Sequence, residues 1–308
     1  MKLFSLLLIL LTSFLHAKEV SVQNETLKGE LTLGGTDKSL IAFIISGSGP
    51  TDRDGNTVGS PGKNNSLLYL SNFLNKECIS TLRVDKRGVG ASASVAVKEA
   101  DLRFTTYVDD VGHWIDFLKK RGYSKIVLIG HSEGALVATL AASSKPVNGL
   151  ISISGAGRPA SVVIKEQLQP KLPKELYTQA ENIISSLEKG EIVKDPPASL
   201  NSLFRPSVQP YMISWFKIDP AKALSEVKVP ILIIQGSTDL QTSVEDAKLL
   251  HASAKDSELL IIKGMNHVLK EIEGDLNTQL PSYLDPTLPL QKELEAKVLD
   301  FIEKSANK

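Results

Sequence analysis

The sequence carries a single cysteine, Cys78, in 308 residues. An internal disulfide is therefore excluded, and the fold must draw its stability from a buried core rather than from covalent staples. Cys78 stands in Lys76-Glu77-Cys78-Ile79 at the start of an apolar run and is expected to pack in the interior. No histidine shares a thiol-enzyme motif with it. Neither sign of charge predominates, since 35 basic and 35 acidic residues give a formal net charge of zero. A nucleic-acid-binding chain normally carries a basic excess or stripe, so nucleic acid is not an expected partner. Histidine is scarce, with five in the chain. No His/Cys cluster has metal-ligand spacing, so no metal is expected. Internal repeats and low-complexity tracts are lacking.

Long apolar runs are also lacking, with one exception at residues 3–11. It follows Met1-Lys2 and leads through Thr12-Ser13-Phe14-Leu15-His16-Ala17 to the charged pair Lys18-Glu19. A basic start, a short apolar core and a small residue before polar sequence describe a signal peptide. The run falls short of the roughly 20 residues of a membrane span. Residues 1–17 are expected to be a signal peptide cut after Ala17, with an uncleaved anchor as the alternative. Either reading places the rest of the chain outside the cytoplasm, secreted or periplasmic, and no stable span is expected after cleavage. Residues 18–308 are expected to form one domain.

What is present is alternation. Short apolar runs at 40–45, 79–84, 125–129, 150–153, 229–235 and 259–262 are separated by amphipathic stretches. This is the pattern of an α/β fold with a mostly parallel central sheet flanked by helices. Val20-Ser21-Val22 and residues 29–33 read as an early strand pair joined at Asn24-Glu25. Helices are expected over 67–74, around Val108, Val111, Ile115 and Leu118, over 135–142, and near 294–302. Between about 157 and 228 the alternation stops. Pro196-Pro197, Pro206, Pro210-Tyr211, Trp215-Phe216 and Pro220 mark a stretch of helical pieces without a convincing strand. A segment of that length inside a compact domain is usually functional or disordered, and its aromatic content argues against disorder. It is expected to be a helical cap over the site.

Gly130-His131-Ser132-Glu133-Gly134 fits the G-x-S-x-G elbow, following the apolar strand Ile126-Val127-Leu128-Ile129 and preceding a helix-like run. A sharp strand-to-helix turn projects the serine side chain, and flanking glycines keep side chains out of the crowded junction. Ser132 is the expected nucleophile. Among the histidines, His16 belongs to the targeting segment and His113 lies off its helix's apolar stripe. His131 is the elbow's own neighbour, expected to point away from the serine, and His251 ends a helix. His267, in the loop Gly264-Met265-Asn266-His267 after a late strand, is left as the expected base. The acid should fall between serine and histidine in the chain. Gly236-Ser237-Thr238-Asp239 follows a strand directly and makes Asp239 the candidate. Asp246 and Asp256 read as solvated charges. Acyl transfer also needs N–H donors for the developing oxyanion. The backbone N–H of Glu133 and that of Ser48, in Ser46-Gly47-Ser48-Gly49, are the candidates. Arg53 is expected to clamp its loop through Asp52 or Asp54, with a substrate carboxylate as the alternative partner.

Taken in order, Ser48-Gly49-Pro50-Thr51-Asp52-Arg53-Asp54-Gly55, Asp85-Lys86-Arg87-Gly88-Val89-Gly90, the elbow, Gly236-Ser237-Thr238-Asp239 and Asn266-His267 resemble the α/β-hydrolase superfamily. The combination is similar to bacterial carboxylesterases grouped with the serine aminopeptidase-like hydrolases. Ser46 departs from the family pattern, which frequently has histidine there. The resemblance implies the α/β-hydrolase fold and hydrolysis of a small-molecule carboxylic ester without a cofactor. The aromatic cap points to an apolar or aromatic substrate. An amidase or peptidase with the same triad, and a non-catalytic binding module on the same fold, are the alternatives.

Overall fold

The computed structural model describes residues 17–22, 26–35, 39–95, 98–254 and 256–306. Of the expected targeting segment only Ala17 is described, as the first residue of β1 (Ala17–Val22). The rest of that segment and the expected turn at Asn24-Glu25 lie outside the described residues. β1 pairs antiparallel with β2 (Leu27–Thr32), and β2 pairs antiparallel with β4 (Ser80–Val84), all other strand pairs being parallel. The eight-stranded sheet has the order β1-β2-β4-β3-β5-β6-β7-β8. Its remaining strands are β3 (Leu40–Ile45), β5 (Lys125–His131), β6 (Gly149–Ile153), β7 (Ile231–Gly236) and β8 (Glu258–Ile262).

The central strands are apolar without alternation because both faces of the sheet are covered. On β3 the side chains of Ala42 and Ile44 join one core, and those of Ile41, Phe43 and Ile45 join the other. This follows from the two-residue period of a strand. The first core is closed by α1 (Ser66–Lys76), through Leu67, Leu70 and Leu74, and by a C-terminal helix (Lys292–Ala306), through Leu294, Val298 and Ile302. The second is closed by α2 (Phe104–Lys120), through Val111, Trp114, Ile115 and Leu118, and by α3 (Glu133–Ser144). Each such side chain taken from water contributes about 1.5–3 kcal/mol.

Between β6 and β7 lie α4 (Ala160–Leu168), α5 (Lys174–Glu188), α6 (Asn201–Phe204), α7 (Gln209–Phe216) and α8 (Pro220–Ser225). These are the helices expected between 157 and 228. α7 docks on the start of α2. Phe104 stacks on Trp215 at 5.7 Å, Tyr107 meets Tyr211 edge-on at 5.6 Å, and the Phe104 N–H donates to Ser214 Oγ at 2.8 Å. After β7 comes α9 (Val244–Ser253), and after β8 the short α10 (Leu276–Gln279) precedes the C-terminal helix, α11. Among the described residues no helix is long and apolar enough to cross a membrane.

Two expectations are corrected. Cys78 is exposed, not packed inside. It occupies the turn between α1 and β4 with φ 63°, a left-handed conformation that carries its side chain off the core. Asp246 is not a solvated charge, since its side chain is fully buried. It closes a capping box with Ser243 at the start of α9 and accepts from Arg158 Nε and Nη2 at 2.9 Å. The same carboxylate accepts the Gly157 N–H at 3.1 Å, so it fixes the first joint of the cap to the sheet domain.

Candidate active site

Ser132 stands between β5 and α3 with φ 57° and ψ −123°, outside the regions open to an ordinary L-residue. The surrounding backbone imposes that conformation. Its N–H donates to Ile153 O on β6 at 2.9 Å. A Cβ on Gly130 would lie 2.3 Å from Gly134 O, and one on Gly134 would lie 2.5 Å from both Ile45 O and Ser46 O. Both flanking positions therefore require glycine, because strand, helix and the loop after β3 meet there backbone to backbone. The turn leaves Ser132 partly exposed in a cavity of about 670 Å³ between the sheet edge and the cap. Ser132 Oγ makes no hydrogen bond among the described residues.

Asp239 and His267 come from the turns after β7 and β8. Gly236, whose absent Cβ would lie 1.9 Å from Met265 O, lets the two turns interlock. The Thr238 N–H donates to Met265 O, and the Asn266 N–H donates to Lys270 O. Asp239 Oδ2 thereby lies 2.8 Å from His267 Nδ1, both side chains being buried. The N–H groups of Gln241 and Thr242 donate to Asp239 Oδ1 at 2.7 and 3.1 Å, and Thr242 Oγ1 and Gln235 Nε2 donate to Oδ2 at 3.1 Å. Burial alone would raise the Asp239 pKa. The neighbouring His267 and the backbone donors outweigh it and hold the carboxyl at about 2. Asp239 is thus an ionised acceptor that holds a proton on His267 Nδ1 and fixes the orientation of the ring.

His131 does not stand apart from this pair. Its ring is 4.9 Å from that of His267, and its Nε2 donates to His267 O at 2.8 Å. Burial, then the His267 charge, push its pKa down to about 3. Sequence reasoning missed this support. Adjacency to the elbow pointed to it, but alternation along the turn suggested only that it faced away from the serine.

The loop after β3 runs past the elbow, where a Cβ on Gly47 would lie 3.1 Å from Ser132 Cβ. Ser46 Oγ donates to Thr51 O at 3.3 Å, and Thr51 Oγ1 donates to Ser48 O at 2.7 Å. The Ser48 N–H finds no acceptor among the described residues, nor does that of Glu133 at the first turn of α3. Two unused N–H groups therefore stand beside Ser132, one of them at a helix start that favours negative charge. Arg53 clamps the loop, though through a different partner from the one expected. Its Nε and Nη2 donate to Asp85 Oδ2 at 2.9 and 2.7 Å, and its N–H donates to Asp85 Oδ1 at 2.7 Å. Asp52 accepts the N–H groups of Asp54 and Asn56, and Asp54 pairs with Arg83. The fork of Arg53 matches a carboxylate at the end of β4 better than either short neighbour in its own turn.

Glu133 is buried, and its carboxylate lies 3.6 Å from Lys86 Nζ. Lys86 Nζ also donates to Gly47 O and stands 5.4 Å from the Tyr107 ring centroid. Burial lowers the Lys86 pKa, and the Glu133 charge opposes that shift. The cavity beyond is walled by Tyr107, Leu136, Val163, Ile164, Met212 and Trp215. Among the described residues no group of His, Cys, Asp and Glu is arranged to hold a metal.

Sheet order, elbow and the Asp239–His267 pair form one arrangement. The chain shares its fold with Est1E from Butyrivibrio proteoclasticus bound to ferulic acid, at TM-score 0.63 and 19% identity, covering 94% of this chain and all of that one. The chain has the α/β-hydrolase fold. A family model for serine aminopeptidase, S33, matches residues 64–202 of the chain. Esterase EstD of Thermotoga maritima is 25% identical over 266 residues, which is 83% of this chain and 61% of that protein. The chain thus spans about three fifths of the length of that curated relative. Proline iminopeptidase of Mycobacterium smegmatis shares the fold at TM-score 0.57 and 14% identity, covering 94% and 98% of the two chains.

Proposed function

We propose that the protein is a serine hydrolase that cleaves small carboxylic esters through a Ser132-His267-Asp239 triad. The observation that carries this reading is the buried Asp239–His267 bond of 2.8 Å, set at the same sheet edge as the strained Ser132. His267 Nε2 takes the Ser132 proton as Oγ bonds to the ester carbonyl carbon. The N–H groups of Ser48 and Glu133 receive the oxyanion. Collapse breaks the ester C–O bond, and His267 gives its proton to the leaving alcohol. Water, deprotonated by the same imidazole, then attacks the acyl-serine and releases the acid. Asp239 stays ionised throughout and stabilises the imidazolium. The largely apolar cavity walls suit an apolar or aromatic acyl group, in keeping with the ferulic acid bound by Est1E.

The same triad would serve an amidase or peptidase, a reading favoured by the serine aminopeptidase match over 64–202. Paired assays with p-nitrophenyl esters and aminoacyl p-nitroanilides separate the two. Ester turnover with labelling of Ser132 by a fluorophosphonate, both lost in Ser132→Ala, is the expected result. An unlabelled wild-type protein would sink the triad and leave a binding module. We also place the protein outside the cytoplasm, on the apolar run 3–11 and the Ala17 cleavage site. Mature protein beginning at Lys18 in the periplasmic or culture fraction checks that, and full-length protein in the cytosol refutes it.

A further inference from the structure

We infer that Lys86 is the positioning residue of the oxyanion-binding loop, acting through the carbonyl of Gly47. The inference rests on the reading of the Ser48 N–H as an oxyanion donor. The carbonyl of Gly47 and the N–H of Ser48 belong to one peptide unit. That unit is planar and trans, so the two groups point in opposite directions. Holding the carbonyl fixes the N–H.

Lys86 is well suited to that hold. Its ammonium donates to Gly47 O and lies beside the buried Glu133 carboxylate, 3.6 Å away. Glu133 carries the second unused N–H at the elbow. One cation therefore ties together the two segments that supply the two donors. The far side of the loop is braced separately, by Thr51 Oγ1 on Ser48 O. Around Gly47 itself little else restrains the peptide, because glycine tolerates either orientation. Without Lys86 the 47–48 peptide is free to turn its carbonyl toward the cavity, which removes one donor and sets an acceptor where the oxyanion should form.

The Lys86 side chain is almost wholly buried at the foot of the cavity, where its ammonium lies 5.4 Å from the Tyr107 ring centroid and its charge is matched by Glu133. An ammonium placed only to neutralise Glu133 would need no bond to Gly47. The two roles separate by mutation. Lys86→Met removes the donor but leaves Glu133 buried without its counter-charge. Lys86→Met combined with Glu133→Gln removes both charges and spares the fold that penalty.

The test measures kcat and KM for p-nitrophenyl acetate, with the inhibition constant of phenylboronic acid, whose tetrahedral adduct on Ser132 places an oxygen in the same hole. In both variants kcat is expected to fall roughly 10- to 100-fold while KM changes little, and boronate affinity to weaken in parallel. Loss of a merely structural contact would lower the melting temperature without that kcat-specific, analogue-matched loss. The inference is overturned if both variants keep wild-type kcat, or if the double variant recovers it, since Lys86 would then be only a counter-charge. Wild-type protein inert to both ester and boronate would instead overturn the triad reading, and that result is seen before any variant is made.

Discussion

His131 Nε2 donates to the backbone oxygen of His267 across 2.8 Å, so one imidazole holds the loop that carries the other. A carbonyl only accepts, so the bond requires the Nε2–H tautomer of His131, and burial keeps that ring neutral down to about pH 3. The sign of the linkage follows. The unfolded chain takes up a proton at His131 below its ordinary value of 6.5, and the folded chain does not until about 3. Stability is therefore lost as pH falls between those values, by at most about 1.4 kcal/mol per pH unit. Asp239, lowered from 3.8 to about 2, contributes stability present above 3.8 and lost on acidification through that lower range. In His131→Gln, whose amide still donates, the fall in melting temperature between pH 7 and pH 4.5 is expected to be smaller than in wild type. An equal fall would show that His131 is not the titrating group.

Asp239→Asn tests the orientation of His267. The amide oxygen can keep the N–H groups of Gln241 and Thr242, which turns its NH2 toward His267 Nδ1. The imidazole is then held in the wrong tautomer, with its proton on the nitrogen that should accept from Ser132. A loss of roughly 10⁴ in kcat is expected with little change in KM, the size seen when a triad aspartate is so altered. Far-UV circular dichroism should stay unchanged. A loss under tenfold would remove Asp239 from the triad.

Strain at Ser132 is measurable apart from chemistry. Its φ of 57° and ψ of −123° suit glycine and penalise any Cβ, at about 1–3 kcal/mol. Glycine costs up to about 1 kcal/mol of extra unfolded-state entropy relative to alanine. Ser132→Gly is therefore expected to be about 1 kcal/mol more stable than Ser132→Ala, both being inactive. Urea denaturation compares them, and an alanine variant at least as stable as the glycine one contradicts the strain.

Much of this was legible from residue order. The runs 40–45, 125–129 and 150–153 became strands within a residue or two, because burial on both faces leaves an unbroken apolar signature. Gly130-x-Ser132-x-Gly134 marked the elbow because three backbones meet there, and only glycine fits at the flanks. Partners set by tertiary approach were not legible. Asp246 looked like any acidic residue in a helix's first turn until Arg158, far along the chain, reached it. Arg53 had two acidic neighbours in sequence, yet Asp85 at the end of β4 accepts both guanidinium donors on Oδ2 and the Arg53 N–H on Oδ1. Cys78 followed the apolar trend of its neighbours, but a left-handed turn carried it out. The His131 contact was hidden because it is with a loop that follows it by more than a hundred residues.

The cap supplies the last test. Trp215 lies on α7 where it both stacks on Phe104 and faces the cavity, so it joins cap docking to the cavity wall. Replacing it by alanine removes aromatic contact of about 0.5–1.5 kcal/mol beyond area burial. If the acyl group lies against this wall, discrimination should suffer more than chemistry. In Trp215→Ala the kcat/KM for p-nitrophenyl octanoate or a cinnamoyl ester is expected to fall about tenfold, near 1.4 kcal/mol of transition-state binding. Turnover of p-nitrophenyl acetate, which reaches only the elbow, should change by a smaller factor. Equal losses for the short and the bulky ester would mean that Trp215 sets the cap's position over Ser132 rather than the acyl preference, and the substrate side would have to be sought on the opposite wall.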